Sequence, residues 1–138
     1  MKNKYKAMVL SCMDPRFQPI VYNYLKKKKL NGKYSAFTIA GSAIGVTASK
    51  FKKWHLTFWD NIDTSIKLHN IKKLIVINHC DCGAAKIING QKEFNTINEK
   101  KIHKASFLKL KKIFKRKYPK LDIEFKIISL NKKIENFR

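Results

Sequence analysis

Lys73-Leu74-Ile75-Val76-Ile77-Asn78-His79 is the stretch on which the reading of this fold turns. Its four residues from Leu74 to Ile77 are apolar without interruption. A strand with one wet face alternates apolar and polar side chains, whereas a strand covered on both faces, as in a parallel sheet, does not. Three further short apolar runs, Tyr5 to Cys12, Tyr34 to Ala40 and Ile123 to Leu130, also read as strands. Between them the pattern shifts to a helical period. Ile20, Val21, Tyr24 and Leu25 make one stripe, with Asn31-Gly32 as its stop. Phe58, Ile62 and Ile66, with Trp54 ahead of them, recur at four-residue steps. Phe107, Leu110, Phe114 and Tyr118 share a helical face that ends at Pro119. Strand and helix alternate along the chain. That order predicts an α/β fold with a mainly parallel central sheet of about four strands flanked by helices.

A chain of 138 residues with no internal repeat and no Ser/Gly/Pro-rich linker is expected to form a single domain, 1–138. Its content of 44% hydrophobic residues excludes disorder along the whole length. No apolar run approaches the roughly 18 residues of a bilayer-spanning helix. Met1 to Ser11 is basic and then apolar for too few residues before Asp14 and Arg16 to be a secretory leader. Three cysteines, Cys12, Cys80 and Cys82, cannot pair evenly, and a bridge within Cys80-Asp81-Cys82 would be strained. Reduced thiols in the cytoplasm are the expectation. The charge is extreme: 31 Lys+Arg against 9 Asp+Glu, a formal +22. Such a surface attracts polyanions. However, only Arg16, Arg116 and Arg138 are arginine, and isoleucine and asparagine are abundant. This is the mark of AT-rich coding rather than of selection for phosphate-gripping forks. The expectation is sequence-blind attraction with no specific nucleic-acid partner.

The chemistry-bearing residues cluster at strand ends. Cys12, Asp14 and Arg16 alternate where the first strand finishes. With extended backbone, which Pro15 favours at Asp14, all three would project to one side. His79 ends the third strand and Cys82 follows three residues later. In open α/β sheets the carboxyl ends of strands hold the binding crevices. Two thiolates and an imidazole suit zinc, and three protein ligands leave a fourth position open, as in catalytic sites. A lone cysteine is most often packing, and a lone histidine a satisfied polar residue. The combination at two strand ends is what makes Cys12, His79 and Cys82 a candidate metal site. Cys80 reads as a packing or accessory thiol. His55, His69 and His103 lie in helical or helix-flanking segments without a partner motif, and read as solvated or core-edge residues.

Ser11-Cys12-Met13-Asp14-Pro15-Arg16 and His79-Cys80-Asp81-Cys82-Gly83-Ala84 resemble the two signatures of β-class carbonic anhydrases. The spacing between them and the intervening Ala40-Gly41 are similar too, so the likeness runs from about Tyr5 to Leu130. The resemblance implies Zn2+ on Cys12, His79 and Cys82, with Asp14 and Arg16 as the catalytic pair beside it. It implies reversible hydration of carbon dioxide to bicarbonate and a proton, by a dimer or a multiple of dimers with sites near the subunit interface. Relatives on the same scaffold hydrolyse carbonyl sulfide or carbon disulfide, which supplies an alternative substrate. A third reading is a non-catalytic, zinc-stabilised nucleic-acid-binding protein. The intact Asp14-Arg16 pair speaks against it, because a structural site prefers a fourth protein ligand. Departures from the family pattern are Thr38 and Ile39 where Arg-Asn is usual, Pro15 in place of a small residue, and a first strand with no helical arm before it. They leave the ligands intact and bear on rate, substrate and oligomer geometry.

Overall fold

The computed structural model describes residues 4–137. Its sheet has five strands in the order β2-β1-β3-β4-β5. These are β1 (Ala7–Ser11), β2 (Tyr34–Thr38), β3 (Lys73–His79), β4 (Asp122–Ile128) and β5 (Ile134–Asn136). The pairs β1–β2, β1–β3 and β3–β4 are parallel, and β4–β5 is antiparallel. The uninterrupted apolar stretch lies in the middle, and every residue of β3 from Leu74 to His79 is buried. Its two faces meet different helices. Leu74 and Val76, with Met8 and Leu10, pack on Phe58, Ile62 and Phe107. Ile75 and Ile77, with Ala7 and Val9, pack on Phe17, Val21 and Leu25. Each such side chain contributes about 1.5–3 kcal/mol by leaving water, which is why this run needs no polar alternation.

The helices are α1 (Gln18–Lys27), α2 (Ala43–Thr47), α3 (His55–His69), α4 (Gly83–Asn89) and α5 (Thr96–Lys117), with a 3₁₀ segment at Ser49–Trp54. Helix α1 covers one face of the sheet, and α3 and α5 cover the other. α1 stops before the predicted Asn31-Gly32. Lys29 takes the left-handed conformation, at φ 61, and the Leu30 N–H donates to the Leu25 carbonyl at 3.0 Å, closing the helix end. α5 starts at Thr96, where the Asn95 side chain accepts the Asn98 N–H, and it finishes just before Pro119 as expected. The fifth strand was not among the expected ones. A tight reversal, with Lys132 at φ 66 and the Ser129 N–H donating to the Lys133 carbonyl at 2.9 Å, lays Ile134 beside Ile128.

Topology places the crevice. From the carboxyl end of β1 the chain crosses through α1 to β2 on one side, and from the carboxyl end of β3 it crosses through α4 and α5 to β4 on the other. The two crossovers diverge at the carboxyl ends of β1 and β3, so a cleft opens there. No helix among the described residues is long and apolar enough to cross a membrane.

Candidate metal centre

β1 and β3 run side by side in register, Ser11 opposite Ile77. Cys12, just past the end of β1, and His79, the last residue of β3, therefore emerge next to each other. Cys82 joins them through a turn in which Asp81 takes φ 58, immediately ahead of α4. The ligand atoms of Cys12, His79 and Cys82 all lie within 4.8 Å of one another, and all three residues are buried. The His79 ring is oriented on two sides. Nδ1 donates to the Cys80 carbonyl at 2.7 Å, and Phe17 stacks on the ring with centroids 4.1 Å apart. With the proton on Nδ1, the Nε2 lone pair is left buried and without a hydrogen-bond partner among the described residues. A buried polar atom left bare costs about 1–3 kcal/mol, and an electron-pair acceptor between Nε2 and the two sulfurs would remove that cost.

The two buried thiols shift one another in opposite directions. Cys12 is lowered to about 4 by the adjoining Cys82 thiol, against the opposing effect of burial and with help from His79, Asp14 and Gly41. The Gly41 N–H donates to Cys12 Sγ at 3.3 Å. Cys82 is pushed up by its Cys12 neighbour and by burial. Burial pulls His79 down, but Cys12, the Cys80 carbonyl and Asp14 outweigh it and the net direction is up. Two converging sulfurs and one imidazole nitrogen are a donor set that fits zinc. Gly41 has φ 80, and a Cβ there would stand 2.6 Å from Ala84 Cβ. At Ile39 the backbone ties the loops together: its N–H donates to the Ser11 carbonyl, and its carbonyl accepts the Met13 and Ser42 N–H groups. The Ile39 side chain packs into the core beneath the sheet.

Asp14 and Arg16 meet, but not by the extended route expected. The chain turns instead, with the Phe17 N–H on the Asp14 carbonyl at 3.2 Å and the Arg16 N–H on Asp14 Oδ1 at 2.9 Å. An aspartate that accepts a backbone N–H two residues on makes a local turn of its own, and this outcompetes extension. The Arg16 side chain then folds back, with Nη2 2.7 Å from Oδ2 and Nε 3.1 Å from Oδ1. This grip holds Asp14 down at about 2. Asp14 Oδ2 stands 3.8 Å from His79 Nε2, at the margin of the Cys-His-Cys group.

Several neighbours were not read from the sequence. Arg16 Nη1 donates to Asp81 Oδ2 at 2.9 Å, and Nη2 to the Asp81 carbonyl at 3.0 Å. His103, expected at a solvated or core-edge position, is fully buried. Its Nδ1 accepts from Asn78 Nδ2 at 2.9 Å, which leaves Nε2 to donate to Glu99 Oε2 at 3.1 Å. Burial raises the Glu99 carboxyl, but His103 and the N–H groups of Cys82 and Asp81 bring it below its ordinary value. The signal was available: Glu99 and His103 stand four residues apart on the face that continues through Phe107 and Leu110. His69 pairs with Ser35 at 3.0 Å, and His55 is half-buried. Cys80 stands apart from the other two thiols and faces a cavity of about 340 Å³ with Glu99, His103 and Glu135. Burial and the surrounding carboxylates push its thiol up.

Comparison with known proteins gives relatives of two kinds. An uncharacterized protein of Rickettsia conorii is 29% identical over 134 residues, covering 96% of this chain and 72% of its own. Another, from Rickettsia bellii, is 28% identical, covering 96% of this chain and 82% of its own. Among solved structures, the β-carbonic anhydrase CcaA superposes with a TM-score of 0.68 at 13% identity, covering 99% of this chain and 81% of that one. A tetrameric β-carbonic anhydrase of Sordaria macrospora gives 0.65 at 9% identity, covering 98% and 81%. CafA, a β-carbonic anhydrase of Aspergillus fumigatus, gives 0.63 at 12% identity, covering 98% and 76%. At these identities the likeness is one of fold: the same mostly parallel sheet and helices. The family described as "Putative carbonic anhydrase" matches residues 1–123. A match over that much of the sequence, on a β-carbonic-anhydrase fold, means that this chain belongs to that family.

Proposed function

We propose that the protein is a zinc-dependent carbonic anhydrase that hydrates carbon dioxide reversibly. Cys12, His79 and Cys82 would hold Zn2+, and Asp14 and Arg16 would act on the reacting water. The observation that carries this reading is the bare, buried Nε2 of His79 amid two sulfurs, with an ionised carboxylate 3.8 Å away. Zinc supplies Lewis acidity that makes water nucleophilic near neutral pH. The chain's own residues do the rest. Asp14, ionised across the working range, accepts a hydrogen bond from the attacking water and so turns the oxygen lone pair toward the carbon of carbon dioxide. Arg16 holds that carboxylate through Nε, Nη2 and its own N–H. With a cation bound, the grip would keep Asp14 from turning onto it as a further ligand and so leave a place for water. The water oxygen bonds to carbon, its proton passes to solvent buffer, and bicarbonate exchanges out against water.

The family match and the β-carbonic-anhydrase neighbours support the reading, as does the donor set. The neighbour from Sordaria macrospora is tetrameric, and for this chain the proposal is a dimer or a multiple of one. Elemental analysis followed by stopped-flow carbon dioxide hydration on the same sample tests the whole. About one zinc per chain is expected, with activity lost on chelation. Cys82→Ser should strip the metal, and Cys80→Ser should leave it. Zinc-loaded protein that hydrolyses carbonyl sulfide but leaves carbon dioxide untouched would change the substrate. Protein that takes no zinc at all would end the proposal.

A further inference from the structure

The turn that carries Cys82 into the site rests on a single buried carboxylate. Asp81, at its crest, takes φ 58, a left-handed conformation that aspartate tolerates better than most residues with a Cβ and that its neighbours hold in place. The constraint is visible. The Asp81 N–H donates to Glu99 Oε1 at 3.0 Å, and the Cys82 N–H donates to Glu99 Oε2, also at 3.0 Å. Glu99 comes from α5, which packs against the α4 that follows the turn, and is itself fixed from behind. His103 Nε2 donates to it at 3.1 Å, Asn78 Nδ2 donates to His103 Nδ1 at 2.9 Å, and Asn78 Oδ1 accepts the Ala43 N–H at 3.1 Å. All three side chains are buried. On its other side Asp81 offers both its carbonyl and its carboxylate to Arg16, whose remaining edge grips Asp14.

A buried carboxylate is costly unless it is paired and fully hydrogen-bonded, and here every bond it accepts serves this turn or comes from His103. Two consecutive N–H groups ahead of a short helix could be satisfied by a neutral side chain or by water. An ionised carboxylate clamped by a histidine does more, because it sets the two N–H vectors together and so the peptide plane between Asp81 and Cys82. That plane decides where the Cys82 side chain leaves the backbone and where the Asp81 carbonyl meets Arg16. We propose that Glu99, held by His103 and Asn78, is the positioning residue of the metal-ligand turn, setting both the approach of Cys82 to the metal and the pose in which Arg16 holds Asp14. The proposal rests on the metal-centre reading above and extends it to residues outside the Cys-His-Cys group and the Asp14–Arg16 pair.

Glu99→Gln tests it at constant size. The amide oxygen can accept one N–H, while its NH₂ faces the other donor. Zinc affinity, measured by competition with a chromophoric chelator, is expected to fall about 10- to 100-fold, the usual scale for partners that orient metal ligands. The cobalt-substituted protein should show a weakened and shifted thiolate-to-cobalt absorption band. The metal-free protein should keep a thermal midpoint close to that of wild type, which separates positioning from a general loss of fold. Asp81→Asn keeps the backbone contacts and removes the carboxylate charge from Arg16; it should hold zinc at wild-type affinity and lose turnover. Should Glu99→Gln fail to fold, His103→Gln, which leaves the carboxylate in place, is expected to weaken zinc in the same direction. Wild-type affinity and an unchanged cobalt spectrum in a folded Glu99→Gln or His103→Gln protein would overturn the proposal while leaving the metal centre standing. If the wild-type chain itself takes no zinc, the metal-centre reading falls first and this one with it.

Discussion

Asp14 bears the heaviest chemical duty of any single side chain in the proposed reaction, and its surroundings make that duty testable. Asp14→Asn keeps the size and the turn but weakens the acceptor. Turnover should drop about 10²-fold or more, the scale of a positioned acid–base group, with zinc content unchanged. Acidity gives a second check. Arg16 holds the folded Asp14 at about 2, below its ordinary 3.8. A carboxyl depressed on folding adds stability above its unfolded value, and that stability is lost as pH falls from about 4 through 2. Any decline in rate between pH 7 and 5 should therefore come from another group. Carboxyl NMR on metal-free Arg16→Ala should show Asp14 titrating nearer its ordinary value, and an unmoved titration would mean that Arg16 is not its anchor. The convergence of Cys12, His79 and Cys82 was legible because side-chain type and strand-end position together point to one cluster. The tie between Glu99 and the turn at Asp81 was not, since Glu99 reaches that turn through the backbone N–H groups of Asp81 and Cys82, which carry no residue signature.

Among the elements, the strands and long helices could be read because their apolar spacing is sustained over several turns or pleats. Helix α2, five residues long, and β5, three residues long, are too short to show a period. The turn between β2 and α2 carries the clearest prediction at this scale. Gly41 combines a positive φ with a backbone N–H aimed at Cys12 Sγ, and an added Cβ would strike Ala84. Gly41→Ala should cost about 1–2 kcal/mol for the left-handed backbone and about 1–3 kcal/mol more for the overlap, with weaker metal retention. Gly32→Ala is the control. Gly32 also has a positive φ, but nothing lies within 4 Å of its added Cβ, so the backbone cost alone should appear. Thermal unfolding of the two variants measures the difference, and equal losses would mean that the Ala84 contact relaxes freely.

At the scale of the whole molecule, one dense group of the lysines behind the +22 charge lies at the opposite end of the sheet from the candidate metal centre. Lys6, Lys28, Lys29, Lys33, Lys72 and Lys73 ring a cavity of about 390 Å³ at the amino ends of the parallel strands, the end opposite Cys12 and His79. Six lysines in solvent attract phosphate polymers by counterion release, without base readout. DNA or RNA binding should therefore be indifferent to sequence and should fade by roughly physiological salt. Selective binding at that ionic strength, in a gel-shift series, would contradict this. The parallel sheet has one more consequence. Cys12 and His79 follow strands already hydrogen-bonded to each other at the centre of the sheet, so a metal between them rivets the part of the chain that opens least. The stiffening would be felt instead in the loops that reach the rivet. Deuterium uptake should slow on zinc loading at 13–17, 40–42 and 80–83, while the amides of β1 and β3 exchange as slowly without the metal as with it.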